Sequence, residues 1–343
     1  MNRVIAFVIM PGFALLALTL AQCAKSAPPP PLALPTSHAG VVLTEDLSAR
    51  QVFPADNPWN LDITNAPVDK YSDSIIRWIN SRGKDGRQRL HPDFAPPPYG
   101  IPYVSVGRDQ PLVPVTFTGY PEESDPGAVG RPVGYPIPDE AMTQENYIEN
   151  AAPGGHTDGD RHLLIVDRDN WILYELYMAF WNTDEARWEA VSGAVFDLNS
   201  NARRPEGWTS TDAAGLAVFP GLVRRDEVVA DGPITHAFRV AVKATNDYVW
   251  PASHAAGDTP GAPPLGTRLR LKASKDISGY PPDLQKIFQA MKTYGLIIAD
   301  NGGNMYVIGT MDTGWDNGVL NPAFHGLYAD DFEVIELGWK PTP

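Results

Sequence analysis

The sequence predicts a mainly β fold, a single domain built on an antiparallel β-sandwich of the jelly-roll type with a few peripheral helices. First, 30 glycines and 34 prolines interrupt the 343 residues, far more than a helical bundle tolerates. Second, the apolar segments are short, rich in β-branched and aromatic residues, and bounded by turn-forming residues. Third, they do not alternate regularly with helices, as the strands of a parallel sheet would.

The strands are predicted from short runs of this kind, each flanked by Gly, Pro, Asn or Asp. The runs are Tyr103–Val106, Val113–Phe117, His162–Asp167, Ile172–Trp181, Val191–Leu198, Ile234–Val242, Arg268–Lys272 and Phe332–Leu337. Near the end of the chain, Leu296–Ala299 and Met305–Gly309 flank an Asp-Asn-Gly-Gly-Asn segment. Asn-Gly and Gly-Gly accept positive φ, so this segment predicts a β-hairpin.

Three helices interrupt the strands. The segments Asp73–Asn80 and Arg224–Val229 are short, whereas Pro282–Tyr294 carries Leu284, Ile287, Phe288 and Met291 at helical spacing. The longer helix stops at a glycine, the residue that most often follows a helix end. Its apolar face is expected to pack on the sheet.

The first residues predict export from the cytoplasm. Residues 1–23 combine a positive start with an apolar run, which is typical of an export signal, and residues 24–44 form a Pro-rich tether. The β-rich domain then covers residues 45–343. Cys23 stands where a lipoprotein signal is cut and acylated, although Gln22 departs from the usual small residue; ordinary cleavage nearby is the alternative. The chain is therefore expected to be periplasmic or secreted, with membrane attachment only through a lipid on Cys23.

The charge and the cysteine content narrow the function classes. Lys and Arg number 27 against 41 Asp and Glu, a net charge of −14 that repels nucleic-acid phosphates. A single cysteine permits neither an internal disulfide nor a Cys-based zinc site in this chain. DNA or RNA is therefore disfavoured as a partner.

The predicted strand Ile172–Trp181 and the residue before it, Trp171, predict a sugar-binding groove that contains a carboxylate. Period-2 alternation puts Trp171, Glu175 and Tyr177 on one face, opposite the expected core face. Aromatic rings stack on sugar C–H faces, and a carboxylate between them can move protons. If the next strand pairs with this one, Asp197 comes near Glu175 and completes the two carboxylates of glycoside cleavage. A solvated Glu175 and a turn-capping Asp197 are the alternatives.

Other residues are candidates for supporting roles. His162 and His236 would assist or orient, although His236 alternates with apolar residues as a core histidine does. Trp208 would add a stacking surface. Arg270 belongs to a basic row with Arg268 and Lys272 that would face an anionic sugar such as a uronate, or else solvent. With His236 or Tyr177 as the base, the same residues would suit a uronate lyase.

A metal site is the weaker alternative, and no other cofactor is predicted. His156, Asp158, Asp160 and His162 alternate, so an extended backbone would aim all four side chains to one side. Carboxylates and imidazoles can together hold a divalent metal. The glycines around them are equally typical of a flexible acidic loop.

Four segments resemble a family of exported bacterial proteins of unassigned function. They are Asp160–Tyr177, Ser192–Asn201, Gly207–Leu216 and Lys292–Asn304, and the likeness covers residues 53–337. The resemblance implies one secreted domain and no particular catalytic role. From the residues, we expect an extracytoplasmic polysaccharide hydrolase using a carboxylate pair, or a uronate lyase. The alternatives are a non-catalytic cell-envelope module that binds glycan or protein, and a metal-dependent hydrolase.

Overall fold

Strands predominate over helices in the computed structural model, which describes residues 40–92, 94–95, 99–150 and 159–341. The strands are β1 (Val42–Leu43), β2 (Tyr103–Val106), β3 (Val115–Phe117), β4 (Leu163–Asp167), β5 (Ile172–Tyr177), β6 (Phe180–Asn182), β7 (Arg187–Ala190), β8 (Ser192–Asp197), β9 (Phe238–Val242), β10 (Arg268–Leu271), β11 (Leu296–Asn301), β12 (Tyr306–Val307) and β13 (Phe332–Val334). The α-helices are α1 (Ser72–Asn80), α2 (Glu140–Thr143), α3 (Arg225–Val229), α4 (Pro282–Thr293) and α5 (Asn317–Phe324). Single turns of 3₁₀-helix occur at Pro58–Asn60, Pro121–Glu123, Phe219–Gly221 and Ala329–Asp331.

The strands form three open, mixed sheets. The first has the order β1-β2-β4-β5-β8, the second β12-β9-β11-β10-β13, and the third β3-β7-β6. Each contains one parallel pair: β2 with β4, β9 with β11, and β3 with β7. The mainly β class is confirmed, but the sheets are not purely antiparallel and a jelly roll is not confirmed. Parallel neighbours require crossover connections, which the sequence pattern of short strands does not show.

The first sheet is buried on both faces. Leu173 of β5 packs into the larger apolar cluster, which also contains residues of the second sheet, α1 and α4. Tyr174, on the opposite face, packs into a second cluster that includes Trp188 of the third sheet. The sequence assigned only the Tyr174 face to the core. Both faces are core because a sheet lies on either side.

Helix α4 packs as its periodicity predicts. Leu284, Ile287, Phe288 and Met291 are all buried in the larger cluster. Gly295 follows the helix with φ of 79°, and a Cβ there would lie 2.5 Å from the carbonyl oxygen of Leu269. The position therefore requires glycine both for its backbone angle and for the close approach of β10.

The predicted hairpin between β11 and β12 is wrong. β11 runs parallel to β9 on one edge, and β12 runs antiparallel to β9 on the other. The connecting segment crosses the end of β9, where the amide of Gly302 donates to the carbonyl of Val242 at 2.8 Å. Turn-forming residues suit a connection that crosses over the end of β9 as well as they suit a hairpin. Pairing of both strands with β9 selects the crossover connection.

The described residues contain no helix that combines the length and the apolar character needed to cross a bilayer.

Candidate active site

A polar cleft of about 220 Å³ is lined by residues of the first two sheets and of the loops between them. Its charged and aromatic lining residues include Asp160, His162, Tyr177, Asp212, His254 and Asp300. We call this site the acidic cleft. It gathers carboxylates, an aromatic ring and imidazoles, the side chains that proton-transfer chemistry uses.

Asp300 reaches the cleft through an irregularity in β11. Ile298 pairs with Val240 and Asp300 with Ala241, so one extra residue lies between the two pairs. Such a bulge redirects the side chain that follows it. Burial, and then the negative charge of Asp212, raise the pKa of Asp300 to about 6. Near neutral pH this carboxyl can therefore hold or release a proton.

Asp212, which lines the cleft, forms a buried ion pair with Arg239. Nε and Nη2 of Arg239 each donate to a carboxylate oxygen of Asp212 at 2.7 Å. The side chains are only 2% and 0% exposed. Arg239 also lies 3.5 Å from Asp300, so it joins the loop carrying Asp212 to the end of β11. This pair fixes the two elements that carry the carboxylates.

His162 is held by hydrogen bonds at both ring nitrogens. Nδ1 lies 2.6 Å from Glu149 Oε2, and Nε2 lies 3.0 Å from the carbonyl oxygen of Thr211. Both partners accept, so both nitrogens donate and the ring is the imidazolium. Although burial opposes the charge, Glu149 raises the pKa of His162 from 6.5 to about 9. His162 therefore positions the loop around Thr211 and has no free lone pair to act as a base.

The raised pKa of His162 predicts a pH-dependent stability. The charged ring contributes fully below pH 6.5, and its contribution is lost as the pH rises through about 9. The free energy of unfolding measured by denaturant titration should therefore fall across this window. The variant His162→Gln should be less stable at neutral pH and show a flatter dependence between pH 6.5 and 9. Equal slopes in the two proteins would contradict the imidazolium assignment.

His254, unlike His162, is hydrogen-bonded within the described residues at only one ring nitrogen. Its Nδ1 lies 2.8 Å from the carbonyl oxygen of Ala213, which can only accept, so Nδ1 carries a hydrogen. In the neutral ring, Nε2 then bears the lone pair. This nitrogen has no hydrogen-bond partner among the described residues, and the side chain lines the cleft. His254 can accept a proton or a hydrogen bond from a ligand.

Tyr177 and Asp160 form the outer part of the cleft. Tyr177 Oη donates to Asp160 Oδ1 at 3.4 Å, and Asp160 is exposed. Burial, and then the charge of Asp160, raise the pKa of Tyr177 to about 12. The phenol stays neutral at ordinary pH and presents a half-buried ring. It is therefore suited to sugar contact rather than to the role of a lyase base.

Glu175 lies below the cleft and does not line it. It is fully buried in β5 and accepts hydrogen bonds from the amides of Val218 and Phe219 and from Thr211 Oγ1, at 2.7–3.0 Å. Burial raises its pKa in spite of these bonds. All of its partners belong to the protein, so Glu175 anchors the segment 211–219 onto the first sheet.

Asp197 does not lie beside Glu175. The register pairs Glu175 with Ala194 and Asp197 with Ile172, so the two carboxylates are an odd number of positions apart and lie on opposite faces of the sheet. Asp197 is exposed and accepts from the amide of Asn199 at 2.9 Å, as a turn cap does. The carboxylate pair predicted from the sequence is not formed.

His236 belongs to a different cleft. Its Nε2 lies 2.9 Å from Glu227 Oε2 and its Nδ1 lies 2.8 Å from the carbonyl oxygen of Ala237. Arg224, 1% exposed, pairs with the same Glu227 at 2.9 Å. Both ring nitrogens have protein acceptors, so His236 is a buried structural histidine separate from His162.

The remaining predicted binding residues do not line the acidic cleft. Trp171 is 6% exposed and is covered by the guanidinium of Arg50 at 3.5 Å. Trp208 is half-buried, with the Arg204 guanidinium 5.5 Å above its ring. Arg270 donates to the carbonyls of residues 63, 64 and 66 and to Glu333, so it holds a chain segment instead of a uronate.

The predicted metal ligands are only partly within the structure. His156 and Asp158 lie outside the described residues, as does Cys23. Of the other two, His162 uses both nitrogens in the protein, and Asp160 contacts Tyr177. In the described ranges there is no group of three or more His, Cys, Asp or Glu arranged to hold a metal ion.

Sequence reasoning missed Asp212, His254 and Asp300. Asp300 stands in a segment that reads as a turn, and His254 lies in an Ala- and Pro-rich stretch without periodicity. One signal was available for Asp300, because a polar residue that directly follows a buried strand is often placed at a site.

Comparisons with models of protein families, with curated proteins and with solved structures found no match. The resemblance to exported bacterial proteins therefore stays a prediction.

Proposed function

We propose that this chain is an extracytoplasmic glycan hydrolase and that the acidic cleft is its active site. One observation carries the proposal: Asp300, with its pKa raised to about 6, shares a cleft with a second carboxylate, Asp160. Glycoside cleavage needs one carboxyl that donates a proton and another that is ionised. The charge of Asp160 also contributes to the raised pKa of Asp300, so the two carboxylates interact electrostatically.

The roles follow from these environments. Asp300, in its protonated form, would protonate the leaving oxygen of the glycosidic bond. Asp160 would act on the other side of the bond, as the base that activates water or as the nucleophile. His254 Nε2 would accept a hydrogen bond from a sugar hydroxyl, and Tyr177 and Tyr120 would provide ring surfaces.

The charge of the cleft favours a neutral sugar at the bond that is cleaved. Asp160 carries a negative charge that no cation balances among the described residues, and the nearby cations Arg239 and His162 are already paired with Asp212 and Glu149. A uronate carboxylate would meet repulsion here, which disfavours the lyase alternative. The volume is below the roughly 300–1,000 Å³ of pockets for larger ligands, which suits a single sugar unit.

Export and lipid attachment are proposed on the sequence alone. The export signal and Cys23 lie outside the described residues. A glycan in the cell envelope or outside the cell would be accessible to a protein sent there.

The test is digestion of a glycan panel by the purified full chain. Neutral glucans, xylans and mannans are expected to include a substrate that yields new reducing ends. The rate should fall as the pH rises through about 6, because Asp300 then loses the proton it donates. Unsaturated products from uronate polymers would overturn the proposal in favour of a lyase. Binding without any product would indicate a binding module, and loss of activity in chelator would indicate a metal enzyme.

A further inference from the structure

A second cleft, of about 390 Å³, is lined mainly by basic residues. The lining residues are Lys84, Asp85, Arg87, Gln88, Arg89, His91 and Tyr328, so three cations stand against one carboxylate. We call it the basic cleft. The chain as a whole carries a net charge of −14, so a concave surface with three cationic side chains runs against its overall charge. Such local reversal is typical of a site that attracts an anion.

The backbone of the basic cleft is held firmly. Asp85 and Gly86 have φ of 55° and 71°, as the central residues of a tight hairpin turn do, and Lys84 pairs with Arg87 across it. Gln88, 5% exposed, anchors the strand after the turn, because its Nε2 donates to the carbonyl oxygen of Asn304 at 2.8 Å. The cationic side chains therefore project from a fixed frame.

Tyr328 orders the two guanidinium groups. The guanidinium carbons of Arg87 and Arg89 lie 3.8 and 5.5 Å from the centre of its ring. Such stacking leaves the N–H edges of a guanidinium available for other partners. An ordered guanidinium loses less conformational entropy on binding an oxyanion than a free one.

The positive charge of the cleft is only partly balanced within the protein. Arg87 lies 3.6 Å from Asp330, and both side chains are more than half exposed, a geometry that contributes little. Among the described residues, Lys84 and Arg89 have no carboxylate partner within ion-pair distance. Asp85 also lines the cleft but makes no ion pair with these cations among the described residues. An incoming anion would thus find cations without a strong internal competitor.

We propose that the basic cleft binds the carboxylate or sulfate groups of an acidic glycan. A guanidinium fork can donate two parallel N–H bonds to two oxygens of a carboxylate or of a sulfate. His91 stacks on Tyr306 at 4.9 Å, and Tyr306 is 40% exposed, so an aromatic surface adjoins the cations. Asn304, which holds Gln88, follows Asp300 and Asn301 of the acidic cleft by a few residues, so one segment supports both sites.

The identity of the ligand as a glycan rests on the proposed function, whereas binding of the anion does not. Together the two clefts would suit a polymer that is neutral at the cleaved bond and carries acidic groups elsewhere along its length. This placement separates the anion recognition from the proton chemistry, because the acidic cleft itself repels anions.

The test is binding of the full chain to dextran sulfate and to polygalacturonate, with uncharged dextran as the matched polymer. The double variant Lys84→Gln/Arg89→Gln is expected to bind roughly tenfold or more weakly, since each cation loses a charge-assisted hydrogen bond. The control Lys70→Gln removes an exposed lysine stacked on Tyr71 at 4.9 Å and should bind like the unmodified chain. Comparison of the two polymers shows whether sulfate or carboxylate is preferred.

Three results would overturn the proposal. They are unchanged binding by the double variant, equal weakening by Lys70→Gln, and equal affinity for double-stranded DNA, which would reduce the effect to attraction of any polyanion. Melting temperatures exclude unfolding as the cause of a loss. Binding of the acidic polymers by an Asp300→Asn variant that cleaves nothing would separate this site from the catalytic proposal.

Discussion

Replacing Asp300 with asparagine is expected to lower kcat by roughly 10²–10⁴-fold on the neutral glycan that the chain cleaves, the range that a general acid contributes. Asparagine keeps the size of the side chain, and its amide oxygen can still accept from the amide of Asn301, but it has no carboxyl group from which to donate a proton. The KM should change little, because Asp300 is assigned to proton transfer and other side chains to sugar contact. The falling limb of the pH profile near pH 6 should disappear with it. Initial rates of reducing-end formation from pH 4 to 8 measure both effects.

The matched control is Asp197→Asn. Asp197 is also an aspartate at the end of a strand, but it is exposed and caps a turn away from the acidic cleft. Its replacement should leave kcat and the pH profile as they are. If Asp300→Asn kept full activity with an unchanged melting temperature, Asp300 would not be the acid. If Asp197→Asn lost activity instead, the acidic cleft would not be the active site.

The sequence predicted which side chains share a face of β5, but not which parts of the protein pack against each face. Alternation put Leu173 and Glu175 on one face and Tyr174 on the other, as the structure has them. It could not show that a sheet packs on each side, because that depends on strands far away along the chain. A glutamate on a strand flanked by aromatic residues has the same pattern whether it faces a groove or, as Glu175 does, the amides of a buried turn.

Only some residues of the acidic cleft were predictable, because local periodicity reveals strand residues but not the contacts between distant segments. His162 and Tyr177 belong to strands or their ends, so their periodicity drew attention to them, and both line the cleft. A bulge in β11 turns the side chain of Asp300 into the cleft, and this bulge depends on pairing with β9, about sixty residues earlier in the chain. No local pattern encodes that register. Asp212 acquires its role from Arg239 and Asp300, which stand on other elements.

The buried pair of Arg239 and Asp212 provides the largest expected effect on stability. Arg239→Met is expected to lower the free energy of unfolding by about 3–5 kcal/mol, because it leaves Asp212 buried without its counter-charge. Methionine retains much of the aliphatic length, so loss of packing is a minor part of the cost. Denaturant titration at neutral pH measures the change. This loss is a large share of the roughly 5–15 kcal/mol by which proteins of this kind are stable.

A second variant separates the missing charge from the missing contacts. In Arg239→Met/Asp212→Asn the unpaired carboxylate is gone, so the double variant should recover part of the stability, as replacing both members of a buried pair generally costs less than breaking it. Arg108→Met serves as the control, since Arg108 pairs with Asp169 at 3.7 Å on the surface and should contribute little. If Arg239→Met were no more destabilising than Arg108→Met, the pair would not hold the loop of Asp212 against β9. The acidic cleft would then need another source of rigidity, because Asp212 and Asp300 stand on the two elements that this ion pair joins.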